Sequence, residues 1–136
     1  MRVLIADDSK PVRERLVSTL SEIDDVNIVG QAENTIEAKI LIKELNPDLL
    51  VLDIRMPGGT GMDIIEDIKK FNPKIKIIIL TNYHFPQYKE KCLSTGADYF
   101  FSKSGEYEKM LDVIEELNSK KKSNQNYLES ISFVLG

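Results

Sequence analysis

The chain has 136 residues, 22 of them acidic and 18 basic, for a formal charge of −4 at neutral pH. That balance argues against a bare nucleic-acid binder or a membrane-surface protein, and the length suits one domain that buries roughly two thirds of the surface its unfolded form exposes, without a metal or disulfide. Cys92 is the only cysteine, which excludes an intrachain disulfide, and the apolar run after Arg2 meets two acids too soon for a signal peptide or a membrane span, so a cytoplasmic location is expected.

Short apolar runs alternate along the chain with amphipathic segments. Val3-Leu4-Ile5-Ala6 reads as the first strand and ends at Asp7-Asp8. Ser9 then caps a helix with Pro11 in its first turn and Val12, Leu16, Leu20 and Ile23 at helical spacing. Val26 to Val29 forms a weaker, partly polar strand, as an edge position allows. Asn34 and Glu37 have the spacing of a capping box, and the helix they open places Ile36, Ile40 and Leu45 near one face before stopping at Asn46-Pro47.

Leu49-Leu50-Val51-Leu52 is a continuous apolar run of the kind that a strand covered on both faces requires, and it ends on a charge, Asp53. A third helix carries Ile64, Ile65, Ile68 and Phe71 and stops at Asn72-Pro73. Ile75 to Leu80 is a second central strand, closing on Thr81-Asn82. The helix over Gln87 to Thr95 has only Tyr88, Cys92 and Leu93 as anchors, which predicts shallow packing, and Gly96 can end it. Asp98 to Ser102 reads as an edge strand running into Lys103. The last clear helix starts near Ser104 or Gly105 and buries Tyr107, Met110, Leu111, Ile114 and Leu117, before a polar run from Ser119 to Asn126.

Five strand–helix repeats predict an α/β fold, a parallel sheet with helices on both faces, in which sites lie beyond the carboxyl ends of the strands. Those ends carry Asp7 and Asp8, then Asp53, Thr81 and Lys103. Three carboxylates brought within about 4 Å of one another repel by several kcal/mol per pair at a near-surface dielectric, and one lysine does not neutralise them. Oxygen donors without His or Cys select a hard cation. Mg²⁺ is favoured because it takes a few carboxylates and keeps waters that a phosphate can displace.

These residues, in Ile5-Ala6-Asp7-Asp8-Ser9, Leu52-Asp53-Ile54-Arg55-Met56-Pro57-Gly58, Ile79-Leu80-Thr81-Asn82 and Gly96-Ala97-Asp98-Tyr99-Phe100-Phe101-Ser102-Lys103, resemble the receiver domain of the two-component response-regulator family. The resemblance covers nearly all of residues 2–118 and implies a flavodoxin-like, doubly wound five-stranded parallel sheet in the order 2-1-3-4-5. It also implies a signalling phosphoacceptor with self-catalysed phosphoryl transfer and dephosphorylation rather than a turnover enzyme. On that reading Asp53 accepts a phosphoryl group from a histidine kinase or phosphotransfer protein. Asp7, Asp8, Asp53 and the Arg55 backbone carbonyl hold Mg²⁺, while Thr81 and Lys103 contact the phosphoryl oxygens. Phe100 repacks as Thr81 turns, switching the surface of the fourth helix, fifth strand and fifth helix. A downstream protein target, still unnamed, would read that surface.

Three departures from the family pattern stand out. Ser104 replaces the usual proline after the lysine, Phe100 lacks the hydroxyl of a tyrosine, and Arg55 and Tyr83 lie two residues beyond Asp53 and Thr81, where they can screen a phosphoryl group from water. His84 reads as a loop residue, Pro57 to Gly61 as a flexible connection, and Lys120-Lys121-Lys122 as a solvated helix end, not a nucleic-acid or membrane contact. Residues 1–118 form the expected receiver. Residues 119–136 form a tail or linker, no complete output domain, whose apolar residues Tyr127, Leu128, Ile131, Phe133, Val134 and Leu135 could extend the last helix, pack on the domain, pair with a second copy in a homodimer or begin an output module. The alternatives are a Mg²⁺-dependent small-molecule phosphohydrolase, for which no separate general acid is evident, and a flavin domain, which Asp7 and Asp8 disfavour by repelling phosphate.

Overall fold

The computed structural model describes residues 1–135. Strands β1 (Arg2–Ala6), β2 (Asn27–Ala32), β3 (Leu49–Leu52), β6 (Lys76–Thr81) and β7 (Tyr99–Ser102) form one sheet in the order β2-β1-β3-β6-β7. Every neighbouring pair in it is parallel. Leaving aside a two-stranded ribbon, β4 (Arg55–Met56) with β5 (Gly59–Thr60), this is the expected 2-1-3-4-5 order. The helices are α1 (Lys10–Leu20), α2 (Thr35–Leu45), α3 (Gly61–Phe71), α4 (Pro86–Thr95) and α5 (Tyr107–Leu135).

Successive side chains point to opposite faces, and both faces are covered, which explains why β3 is apolar throughout and β1 is apolar after Arg2. Leu4, Leu50, Leu52, Ile77 and Ile79 face a core shared with Ala38 and Ile42 of α2, Ile64, Ile65 and Ile68 of α3, and Cys92 of α4. Their neighbours Val3, Ile5, Leu49, Val51, Ile78 and Leu80 face the opposite core, with Leu16 and Leu20 of α1 and Met110 and Ile114 of α5. A sheet covered on both sides leaves no polar face, so functional groups are confined to its ends.

Local caps set the helix boundaries. Ser9 Oγ accepts from Val12 N, and Asn34 Oδ1 accepts from Glu37 N at 2.8 Å while a Glu37 carboxylate oxygen accepts from Glu33 N. Asn46 ends α2 in the left-handed region at φ 43°. Gly96 ends α4 at φ 132°, a conformation that side chains disfavour.

Four details differ from the pattern-based expectation. The buried face of α2 is Thr35, Ala38 and Ile42, whereas Ile36 and Ile40 are 64% and 51% exposed; apolar residues at helical spacing there covered two sides of the helix, and packing chose the smaller set. Strand β2 begins a residue later and runs to Ala32. Pro57 to Gly61 is no slack connection, because the β4–β5 ribbon pairs Arg55 with Thr60 and Met56 with Gly59. Finally, α5 begins at Tyr107, later than expected, and leaves Leu111 and Leu117 only partly buried; its 29 unbroken residues realise the extension of the last helix into the tail.

The lysines of α5 help hold it down. Lys121 reaches Asp48 at 3.0 Å, Lys122 pairs with Asp25 and Lys120 with Glu116, so this stretch is exposed but not unpartnered. Buried Asn118 donates from Nδ2 to the Asp24 carbonyl at 2.8 Å.

Gly61 sits where α3 meets the end of β3. A Cβ there would lie 2.8 Å from Ile54 Cα and 3.3 Å from the Asp53 carbonyl, both backbone atoms that cannot swing aside. Gly61→Ala should therefore cost about 1–3 kcal/mol. Gly105→Ala, where nothing lies within 4 Å, should stay within about 0.5 kcal/mol of wild type, and thermal melts of the two variants check the contrast.

Candidate functional site

Backbone ladders extend one residue past the strands and thereby fix the functional side chains. Asp7 N donates to the Ala32 carbonyl at 3.0 Å, Asp53 N to the Ala6 carbonyl at 2.9 Å and Lys103 N to the Thr81 carbonyl at 3.0 Å. Asp7, Asp53, Lys103 and Thr81 thus stand on one rim with little backbone freedom. Asp7, Asp53 and Thr81 are buried, and Asp8 is exposed.

The side chains close into a single network. Lys103 Nζ lies 2.7 Å from Asp7 Oδ2 and 2.8 Å from Asp53 Oδ2. The other Asp53 oxygen accepts from Thr81 Oγ1 at 2.9 Å and from Arg55 N at 3.2 Å. Asp7 Oδ1 accepts from Ser9 N at 2.8 Å, so the residue that caps α1 also orients an acid of the site. Burial pushes the Asp7 carboxyl above its ordinary range even though Lys103 and the Ser9 N–H pull the other way. Burial alone would lower Lys103, but the hydrogen bonds and charges of Asp53 and Asp7 outweigh it and hold the ammonium more firmly protonated.

Carboxylate oxygens of Asp7, Asp8 and Asp53 lie within 4.8 Å of one another. With one ammonium among three acids, the cluster keeps an excess of negative charge, and its donors are all hard oxygens. Such a set fits a metal ion. The cluster opens into a cleft of about 610 Å³ lined by Asp8, Asp53, Arg55, Asn82, Tyr83 and Lys103.

All the rim residues expected from the sequence meet here. Arg55 and Tyr83 also meet each other, with the Arg55 guanidinium carbon 4.2 Å from the Tyr83 ring centroid. The phenols of Tyr88 first, and then of Tyr83, favour the charged Arg55 guanidinium relative to free arginine. Phe100 stands apart from the cleft, buried in the core that α2, α3 and α4 cover, so its packing role is visible and any switching would be a repacking within the core. His84 is an exposed loop residue whose Nδ1 lies 2.9 Å from the Asn82 carbonyl and 3.4 Å from Ser102 Oγ. Cys92 is packed against Met62, and burial pushes its thiol up to about 11.

One contributor was not legible as a site residue: Arg13 donates from Nη1 to the Asp7 carbonyl at 2.7 Å, yet in sequence it is one more charge on an amphipathic helix. Ser104, in the position where proline is usual, donates from its N–H to Ser102 Oγ at 3.2 Å, a bond that proline lacks the hydrogen to make.

A doubly wound sheet with an acid cluster, a lysine and a hydroxyl at its carboxyl rim defines a phosphoryl- or metal-handling α/β domain. The family model described as the response regulator receiver domain matches residues 3–115, and the chain belongs to that family, which works in two-component signalling. A transcriptional regulatory protein of Bacillus subtilis is 34% identical over 116 residues, 85% of this chain, which spans only 58% of that relative's length. A DNA-binding response regulator of the LuxR family from Staphylococcus aureus superposes with a TM-score of 0.79 at 32% identity, covering 86% of this chain and 98% of that one. The isolated receiver of RcsB from Salmonella enterica serovar Typhimurium, solved with the phosphomimetic BeF3−, gives a TM-score of 0.73 at 31% identity over 77% of this chain and 78% of its own.

The raised Asp7 carboxyl makes a signed prediction for metal-free protein. A folded-state value above the unfolded one near 3.8 means that ionised Asp7 weakens folding, a penalty absent below the unfolded value and acquired as pH rises through the folded one. In a chelator, Asp7→Asn should therefore gain in stability relative to wild type as pH rises from about 3.8 toward neutrality, read from denaturant midpoints across that range.

Proposed function

We propose that Asp53 is the phosphoacceptor of a Mg²⁺-dependent receiver, taking a phosphoryl group from the phosphohistidine of a histidine kinase or phosphotransfer protein. The observation that carries this reading is the division of labour on the Asp53 carboxylate. One oxygen is held by Lys103 and the other by Thr81 and Arg55 N, at the edge of an open cleft. A receiver solved with a phosphoryl mimic shares this fold.

When bound, Mg²⁺ would be held by Asp7, Asp8, Asp53 and the Arg55 carbonyl and would supply positive charge to the phosphoryl oxygens. An Asp53 oxygen bonds to phosphorus as the phosphorus–nitrogen bond of the donor breaks, and the histidine leaves with the bonding pair. Lys103 neutralises charge on the incoming group. Thr81 gives up Asp53 Oδ1 and donates to a phosphoryl oxygen instead. Arg55 and Tyr83, stacked at the cleft, limit the approach of water to the product.

The output follows from how loosely α4 is built. Only Cys92 of that helix is buried, and its N-cap, Phe85, offers no side-chain hydrogen bond. Withdrawal of Thr81 lets Phe100 repack beside it, so α4, β7 and α5 present an altered surface to a downstream protein. A phosphohydrolase is not favoured, because the lining of the cleft offers the rim residues and no separate general acid.

Residues 1–118 are assigned as the receiver and 119–136 as a tail or linker. The transcriptional and DNA-binding roles in the relatives' names belong to those proteins, and no nucleic-acid contact is assigned to this domain. No helix among the described residues is long and apolar enough to cross a membrane, and we place the reaction in the cytoplasm. The stripe of Tyr127, Leu128, Val134 and Leu135 is exposed on the end of α5, and the partner assigned to it is a second copy of the chain.

Two measurements test these assignments. Asp53→Asn should abolish labelling by a small phosphodonor with Mg²⁺, and labelling at the wild-type rate and site would reject the phosphoacceptor. Light scattering should give the full chain a dimer mass and a chain ending at Asn118 a monomer mass, whereas equal masses would remove the tail from assembly.

A further inference from the structure

Arg13 is the charged residue of α1 that the fold covers. Lys10 and Glu14, on the same helix, have side chains 77% and 67% exposed, whereas that of Arg13 is 13% exposed. Covering a guanidinium costs free energy unless hydrogen bonds replace its water. Its ion-pair partner, Glu33, is 61% exposed and 3.8 Å away, too far for a hydrogen bond. The bond that offsets the cost runs from Arg13 Nη1 to the Asp7 carbonyl at 2.7 Å.

That carbonyl belongs to the peptide joining Asp7 to Asp8. With Arg13 in place, every polar group of Asp7 has a partner: its N–H donates to the Ala32 carbonyl at 3.0 Å, one carboxylate oxygen accepts from Ser9 N at 2.8 Å and the other lies 2.7 Å from Lys103 Nζ. Arg13 N donates in turn to the Ser9 carbonyl at 3.0 Å, so Asp7, Ser9 and Arg13 close a ring at the junction of β1 and α1. Asp8 is held differently. It is exposed, so its backbone rather than packing aims its carboxylate. Rotation of the Asp7–Asp8 peptide would break the Arg13 bond and turn that carboxylate away from the oxygens of Asp7 and Asp53, which lie within 4.8 Å of it.

We infer that Arg13 is a positioning residue for the metal: by holding the Asp7 carbonyl it fixes the peptide from which Asp8 projects, and so strengthens binding of Mg²⁺. The inference rests on the acid cluster being the Mg²⁺ site. The sign of the effect separates this role from that of a nearby charge. A guanidinium beside the cluster repels a cation, so on Coulombic grounds alone its removal would tighten metal binding. Where the hydrogen bond outweighs that repulsion, removal weakens binding, as does loss of other groups that orient metal ligands.

The test titrates MgCl₂ into the full chain and follows amide chemical shifts, for wild type, Arg13→Met, Arg13→Lys and Lys10→Met. Arg13→Met keeps an unbranched apolar stem but loses donor and charge, and should bind Mg²⁺ roughly ten-fold more weakly. Arg13→Gln, too short to keep the bond, carries the same expectation should Arg13→Met fail to fold. Arg13→Lys supplies a donor again and should recover most of the affinity. Lys10→Met removes a charge from the same helix without that bond and should bind at least as tightly as wild type. Unchanged or tighter binding in Arg13→Met, or equal weakening in Lys10→Met, overturns the proposal. In metal-free protein the Asp7 carbonyl carbon resonance should move upfield in Arg13→Met, as loss of a hydrogen bond requires, and return toward wild type in Arg13→Lys. An unmoved peak overturns the contact whatever the metal does. A wild type that binds no Mg²⁺ would instead reject the metal site.

Discussion

Lys103 Nζ, 2.7 Å from one buried carboxylate and 2.8 Å from another, is the contact on which the chemistry of this domain depends. Three acids lie within 4.8 Å of one another, and at an effective dielectric of about 20 each such pair repels by about 3 kcal/mol. One ammonium offsets part of that and leaves an excess of negative charge beside an open cleft. Burial, and to a lesser degree the neighbouring Asp53 charge, raises the Asp7 carboxyl against the pull of Lys103. A site in this condition gains from any cation that enters it.

The sheet makes this crowding tolerable. Both its faces are covered by aliphatic side chains, and the backbone ladder continues through Asp7, Asp53 and Lys103, so the charged groups cannot relax by moving the chain. Rigidity of the floor contrasts with looseness of one wall. Helix α4 buries a single residue and lacks a side-chain cap, whereas α3 beside it buries Ile64, Ile65 and Ile68. Helix α4 is therefore the element of this wall that can move at low cost.

Most of the architecture was legible because apolar runs and helix stops are local signals. Ser9, Asn34 and Asn46 mark helix ends through bonds made within three or four residues. The rim residues were legible too, since a parallel sheet sends every strand's end to the same side. The misread details all involve a choice between local options. In α2 either of two apolar stripes fits a helix, and the contact with the sheet selected Ala38 and Ile42 over Ile36 and Ile40. In the glycine-rich stretch after Asp53, a two-residue ribbon was hidden because pairs so short carry no periodicity.

From the sequence alone came the sheet, its order by resemblance, and the group of residues at its carboxyl rim, because strand period and chain direction determine where a strand's last side chain falls. Tertiary structure alone decided which oxygen of Asp53 meets which donor, and that the lysines of α5 reach back to Asp25 and Asp48. Those contacts join residues far apart in the chain, and side-chain reach across a packed interface leaves no trace in local spacing.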